Sequence, residues 1–273
     1  MSTAKTIFKV ESQAPSLRLA VLIDADNAQS AVVEGLFAEI AGFGDAIVRR
    51  IYGDFTSPQS AAWKKVLNQH SIKPVQQFAY TSGKNATDGT MIIDAMDLLY
   101  TRRFDGFCLV TSDSDFTGLA VRLREEGVTV IGFGEEKTPL PFRTACHRFV
   151  LTEVLRPITA AVAPVDRGSS KAAVPSKVDA TAEIQADPVA TELPTDLMRQ
   201  AIDQSSGDDG WAHLGTFGQY LSKLKSDFDS RVYGFKKLSD LVRARTDFFE
   251  VQERQLAGSD QKVLFVRAKP PKR

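Results

Sequence analysis

Residues 18–27 read RLAVLIDADN, and residues 106–116 read GFCLVTSDSDF. Each is an apolar run that ends on acids, Asp24 and Asp26 in the first and Asp113 and Asp115 in the second. Short unbroken apolar runs of this kind read as strands buried on both faces, the pattern of a parallel sheet. Carboxylates at the carboxyl ends of parallel strands share one rim, where open α/β sheets bind their ligands. A third acid, Asp88, opens the helical pattern DGTMIIDAMDLLY at residues 88–100. Acids crowded at one rim repel unless they are protonated or share a cation. Oxygen-only donors suit Mg²⁺ or Mn²⁺. The residues by themselves therefore point to a metal-dependent phosphoryl-transfer site.

Outward from these runs the front half alternates strand and helix signals. Strands are predicted at 18–24, 46–54, 73–80, 106–112, 129–134 and 149–152, and helices at 27–40, 58–70, 88–100 and 116–126. The alternation predicts an α/β domain over residues 17–155, a mostly parallel sheet flanked by helices on both faces. No G-x-G-x-x-G follows the first strand and no G-x-x-x-x-G-K-[ST] occurs, which disfavours dinucleotide and P-loop sites.

Residues 1–16 are expected to be a flexible N-terminus. From Val150 to Gly210 the chain carries no aromatic residue, and Pro157, Pro164, Pro175 and Pro188 interrupt it. Such a composition cannot bury enough surface to offset the entropy of ordering, so 156–192 is expected to be a flexible linker. Aromatics return at Trp211. Apolar faces at Leu197/Met198/Ala201/Ile202, Leu214/Phe217/Leu221/Leu224 and Phe235/Leu238/Leu241/Val242 predict three helices. Strands at 248–251 and 263–266 would complete a small winged helix-turn-helix over 193–268, followed by a basic tail at 269–273.

A hydrophobic fraction of 43% with 25% charged residues over 273 residues is ordinary for a globular chain. Two cysteines, one inside a core strand, argue against a disulfide framework and for a reducing cytoplasm. The start lacks the apolar segment of a signal peptide, and no apolar run approaches membrane-spanning length. The net charge of zero hides an asymmetry. Residues 1–155 carry 16 basic against 18 acidic side chains, and residues 193–273 carry 14 against 11. The basic lean of the tail suits an anionic partner.

Candidate residues each have a plainer reading. Asp24, Asp88, Asp113 and Asp115 are candidate metal ligands and catalytic acids; each could also cap a helix. One acid suffices to cap the helix at Phe116, so the pair at 113 and 115 asks for a further reason. Asn27 could cap a helix or bond a phosphate or an Asp24 oxygen. Ser112 could reach a neighbouring carboxylate or phosphate. Asp94 lies 240° around an ideal helix from Asp88 and ranks below it. Lys84 could neutralise phosphate or be solvated. In the tail, Lys223, Lys236, Lys237 and Arg243 could meet phosphates or simply face solvent. His70, His147 and His213 lack metal spacing, and nucleophilic Cys or Ser catalysis has no support.

LIDADN at 22–27, DGTMIIDAMDLLY at 88–100 and TSDSDF at 111–116 resemble, in order and spacing, the LabA-type NYN domain. That family is a branch of the PIN-like metal-dependent ribonucleases. The resemblance implies metal-binding acids at Asp24, Asp88, Asp113 and Asp115, with Asn27 and Asp94 at frequently retained positions. The loop before Asp88 reads KNATD rather than the more usual Lys-Gly-x-Asp form. Residues 210–251, GWAHLGTFGQYLSKLKSDFDSRVYGFKKLSDLVRARTDFFEV, resemble the OST-HTH or LOTUS domain. That module implies RNA binding, of single-stranded or structured RNA, or docking of a protein partner. The expectation is a cytoplasmic Mg²⁺- or Mn²⁺-dependent ribonuclease with an RNA-binding tail. The alternatives are a catalytically silent adaptor or, from Asp24-Ala-Asp26, a haloacid-dehalogenase-type phosphatase with Asp24 as nucleophile; that family usually carries Thr or Val where this chain has Ala28.

Overall fold

The computed structural model describes residues 16–56, 61–78, 86–156, 193–207, 209–255 and 262–270. The front domain runs β1 (Leu17–Asp24), α1 (Val33–Ala41), β2 (Gly44–Gly53), α2 (Ala61–Gln69), β3 (Lys73–Gln76), α3 (Ala86–Tyr100), β4 (Gly106–Val110), α4 (Thr117–Glu125), β5 (Thr129–Gly134), α5 (Leu140–Ala145) and β6 (Arg148–Leu151). The sheet order is β3-β2-β1-β4-β5-β6, and every neighbouring pair is parallel. The chain winds outward from β1 to β3, then returns to place β4 beside β1. The order reverses at β1/β4, which opens a crevice at the carboxyl ends of those two strands.

The unbroken apolar runs build a core on each face. Ala20, Leu22, Phe107, Leu109 and Phe149 point to the side covered by α3, α4 and α5. Leu19, Val21, Ile23, Cys108, Val110 and Val150 point to the side covered by α1 and α2. Alternation along the central strands β1 and β4 thus serves two cores, so their buried positions 19–23 and 106–110 are apolar throughout. Both cysteines are buried and unpaired.

Where α1 crosses the 3-10 turn at Thr152–Leu155, Gly35 makes the contact. A Cβ there would lie 2.2 Å from the Leu155 carbonyl oxygen. Alanine normally gains up to about 1 kcal/mol over glycine inside a helix. Here the obstacle is backbone, so Gly35→Ala is expected to destabilise the domain by roughly 1–3 kcal/mol. A chemical-denaturation midpoint equal to or above the parent's would contradict this.

Several expected boundaries move. The first helix begins at Val33 rather than Asn27, because residues 25–27 form a turn whose polar groups bond Asp24, with a 3-10 turn at Ser30–Val32 between. The short helix α5 is absent from the expected elements, since six residues preceded by Pro139 and containing Pro141 carry no readable period. Residues 58, 79, 80 and 84, like the N-terminal 1–15 and the linker residues 157–192, lie outside the described residues.

The tail forms α6 (Thr195–Ser205), β7 (Ala212–His213), α7 (Leu214–Leu224), α8 (Leu238–Ala244), β8 (Phe249–Gln255) and β9 (Lys262–Ala268), with an antiparallel sheet in the order β7-β9-β8. Its core gathers Met198, Ile202, Phe217, Leu221, Leu241, Val242, Phe249 and Val266. Three helices and a hairpin match the winged-helix expectation, and β7 adds a third strand. One detail is corrected: Phe235–Lys237 precede the third helix, with Lys237 as its extended N-cap residue.

The tail packs against the outer strand of the large sheet. The Phe149 amide in β6 donates to the Ser226 carbonyl at 2.9 Å, Arg143 pairs with Asp227, and Arg231 makes two bonds to Glu39. A sheet edge otherwise left open is thereby covered. Among the described residues no helix is long and apolar enough to cross a membrane.

Candidate metal centre

β1 and β4 are adjacent and in register, Ile23 opposite Val110, so the acids that follow them emerge at the same rim. Asp88 enters this rim from the first turn of α3. One oxygen from each of Asp88, Asp113 and Asp115 lies within 4.8 Å of the other two. Asp88 and Asp113 are half-buried and Asp115 is exposed. Burial, then the charges of Asp24, Asp113, Asp115 and Asp26, push the Asp88 carboxyl up to about 6. Negative charge is concentrated here without a basic side chain among the causes, which is the electrostatic condition a cation relieves.

Asp24 occupies the floor. It is fully buried, and its Oδ1 accepts from the Asp26 amide while Oδ2 accepts from the Asn27 side chain and the Thr111 hydroxyl. Burial raises its pKa, and those hydrogen bonds oppose the rise. Asp24 stands outside the group of three close oxygens. A nucleophilic Asp24 gains no support, because both oxygens already serve as acceptors in a buried setting.

The plainer reading of Asp113 also holds: its Oδ1 accepts the Asp115 amide at 2.9 Å and caps the 3-10 turn at Ser114–Phe116. Capping and ligation are compatible, since a carboxylate has about four acceptor sites. Asn27 caps no helix; it holds Asp24 at 2.8 Å. The Ser112 hydroxyl is turned away and accepts the Glu135 amide at 2.9 Å. Asp94 is occupied by Arg50 and the Tyr52 hydroxyl, and this contact, after burial, raises the Tyr52 pKa.

Sequence reasoning passed over Thr111. Its hydroxyl donates to Asp24 and accepts the Asp113 amide at 3.1 Å, joining the two acidic motifs. The signal was a buried hydroxyl in the register position just after β4, beside two acids.

In the tail, Lys236 and Lys237 are exposed. Arg243 is paired with Glu253 at 2.7 Å, which leaves it less available to phosphate. Lys223 lies over the Tyr220 ring, 5.4 Å from its centroid, close to the seam with the front domain.

Comparison with known proteins agrees with this layout. The family model for the NYN domain matches residues 18–153, and that for the OST-HTH/LOTUS domain matches residues 192–259. Among curated proteins none matches the chain significantly. A solution structure of an uncharacterised protein from Nitrosomonas europaea is 48% identical over 40% of this chain and 96% of its own, with a TM-score of 0.32. A crystal structure of a protein of unknown function from Vibrio parahaemolyticus is 17% identical over 51% of this chain and 95% of its own, with a TM-score of 0.43. A solution structure of residues 175–257 of a protein from Chromobacterium violaceum is 31% identical over 30% of this chain and 87% of its own, with a TM-score of 0.24. The chain thus carries an NYN domain at residues 18–153 followed by an OST-HTH/LOTUS domain at residues 192–259.

Proposed function

We propose that the protein is a metal-dependent ribonuclease whose tail domain binds RNA. The observation that carries the reading is the convergence of Asp88, Asp113 and Asp115 at the β1/β4 crevice of an NYN domain. The donor set fits Mg²⁺ or Mn²⁺: all oxygen, close together, and charged enough to push Asp88 up to about 6. Asp88, Asp113 and Asp115 would hold the ion, and Asp24, outside that group, would add its charge to the site. When bound, the ion would supply Lewis-acid polarisation of a phosphate oxygen and acidify a water.

The chain's own residues supply the frame. Thr111, Asn27 and the Asp26 amide hold the Asp24 carboxylate in one orientation. Thr111 also ties the Asp113 backbone to that carboxylate, so the two motifs keep a fixed separation. Exposed Asp115 stands at the mouth, where a backbone phosphate would enter. The intact set of acids favours an enzyme over a silent adaptor.

The deciding assay is Mn²⁺-dependent cleavage of a mixed RNA pool, with chelator as control. Absence of cleavage under any divalent metal would remove the catalytic half of the reading. Metal binding has its own readout. A ligand at a hundred times its Kd stabilises the fold by about 2.7 kcal/mol. Mn²⁺ is therefore expected to raise the melting temperature of the parent and to leave that of an Asp88→Asn/Asp113→Asn/Asp115→Asn variant unmoved. Equal shifts in both would place the metal elsewhere.

RNA binding is assigned first to Lys236 and Lys237, which are exposed beside the start of α8. Replacing both by alanine should weaken RNA binding and flatten its salt dependence by about one unit of slope per lysine. Melting should move little, because surface changes usually stay within ~0.5 kcal/mol. A salt slope identical to the parent's would take these lysines out of the interface.

A further inference from the structure

The seam between the two domains contains a cavity of about 240 Å³. Arg124, Thr144 and His147 of the front domain line one side, and Ser222, Lys223 and Ser226 of the tail line the other. Among the described residues no carboxylate lines it, although acids are as numerous as bases in the whole chain. Arg124 and Lys223 form no ion pair among the described residues, whereas Arg143, Arg148 and Arg231 close by are all paired with acids. The seam thus neutralises the cations that join the domains and leaves the cations of the cavity unneutralised.

Two of the donors are fixed in place. Arg124 gives one guanidinium nitrogen to the carbonyls of Thr144 and Ala145, both at 3.1 Å. That anchors the group in the wall, and its other nitrogens make no hydrogen bond among the described residues. The Val130 amide donates to His147 Nδ1 at 3.0 Å. A neutral His147 must then carry its proton on Nε2, as a donor. The uncompensated charge of Arg124 is felt by its neighbours: burial first and Arg124 second lower the His147 pKa. Two cations, one from each domain, thus line the same cavity as a fixed imidazole donor, while the Thr144 and Ser226 hydroxyls already donate to backbone carbonyls. The charges and the imidazole N–H are the donors of an anion receptor.

We propose that this seam cavity holds a backbone phosphate of bound RNA, gripped by Arg124 from the front domain and Lys223 from the tail. The two cations in the lining select a phosphate over an uncharged base. His147 immediately precedes β6, so the cavity opens at the amino ends of the strands, opposite the acidic rim. The site is an anchor that captures the strand away from the scissile bond, and it exists only while the domains are docked. This rests on the RNA-binding half of the proposed function.

The test measures binding of a short unstructured oligouridylate to the full chain in EDTA, so that no cleavage intervenes. Arg124→Gln and Lys223→Gln should each weaken binding by roughly three- to tenfold and lower the salt slope by about 0.7, the loss of one single-strand phosphate contact. The double variant should lose less than the product of the two, because both groups share one phosphate. Lys223→Arg keeps the charge and should retain parent affinity. Lys223 is exposed, so its variants keep the test sound if Arg124→Gln proves poorly folded. Unchanged affinity and slope in the double variant would overturn the proposal, while a loss in Lys236→Ala/Lys237→Ala alone would keep the RNA reading. Failure of the parent chain to bind RNA would remove both. Inorganic phosphate that shifts the His147 ring resonances while RNA ignores the seam charges would assign the cavity to free phosphate and equally overturn the proposal.

Discussion

Asp113→Asn is expected to lower metal-dependent RNA cleavage by about a hundredfold or more while the fold stays intact. Even groups that only orient ligands cost about 10–100-fold when changed, and a ligand should cost at least as much. The structural side of Asp113 is preserved by the change. Its Oδ1 caps the 3-10 turn by accepting the Asp115 amide, and an asparagine oxygen accepts as well. What is removed is one negative charge from a cluster that already pushes Asp88 up to about 6. The metal-free variant should therefore melt no lower than the parent, and slightly higher if relief of repulsion dominates. The measurements are initial cleavage rates in Mn²⁺ and melting in EDTA. Undiminished cleavage by the variant, free of contaminating nuclease, would exclude an essential role for Asp113. Lost activity with a collapsed melting temperature would assign it to structure instead.

Phe217→Ala carries the largest expected effect on stability. Phe217 is fully buried at the centre of the tail core and meets Phe249 edge to face, ring centroids 6.1 Å apart. Removing a buried phenylalanine costs about 3–5 kcal/mol. A domain of this size rarely holds more than about 3–5 kcal/mol in its core, so the tail should unfold. The front domain has its own two cores and should remain folded, with Phe149 and Arg148 in β6 no longer covered by Ser226 and Ser222. Limited proteolysis should release the tail and leave a stable front fragment that keeps its Mn²⁺-dependent melting shift. RNA affinity should fall sharply. A tail that resists protease as the parent does would show that its core tolerates the cavity.

Much of this was written in the sequence because the physics is local. The apolar runs at 18–24 and 106–112 could belong only to strands buried on both faces, and the acids that ended them could lie only at the carboxyl rim of a parallel sheet. The helical face of 88–100 was equally plain, since Met91, Ala95, Leu98 and Leu99 recur at helical spacing and all face one core. The tail announced itself by the return of aromatics at Trp211, and Phe217, Leu221, Leu241 and Val242 all entered its core. The helix starts were less visible. Asn27 has the chemistry of a cap, but a buried Asp24 with three donors to find takes it first.

The sequence by itself determined the alternation of strands and helices, the two domains and the identity of the acids, because each follows from periodicity and composition over a few residues. Only the tertiary structure decided how those acids divide. Strand order put β4 beside β1, Thr111 bridged the two motifs, and burial turned Asp24 into a hydrogen-bonded floor while Asp88, Asp113 and Asp115 came together above it. It also decided that Arg143, Arg148 and Arg231 are neutralised while Arg124 and Lys223 are left facing a cavity. Charge pairing is settled between groups distant in sequence, over a few ångströms in space, and no local pattern encodes it.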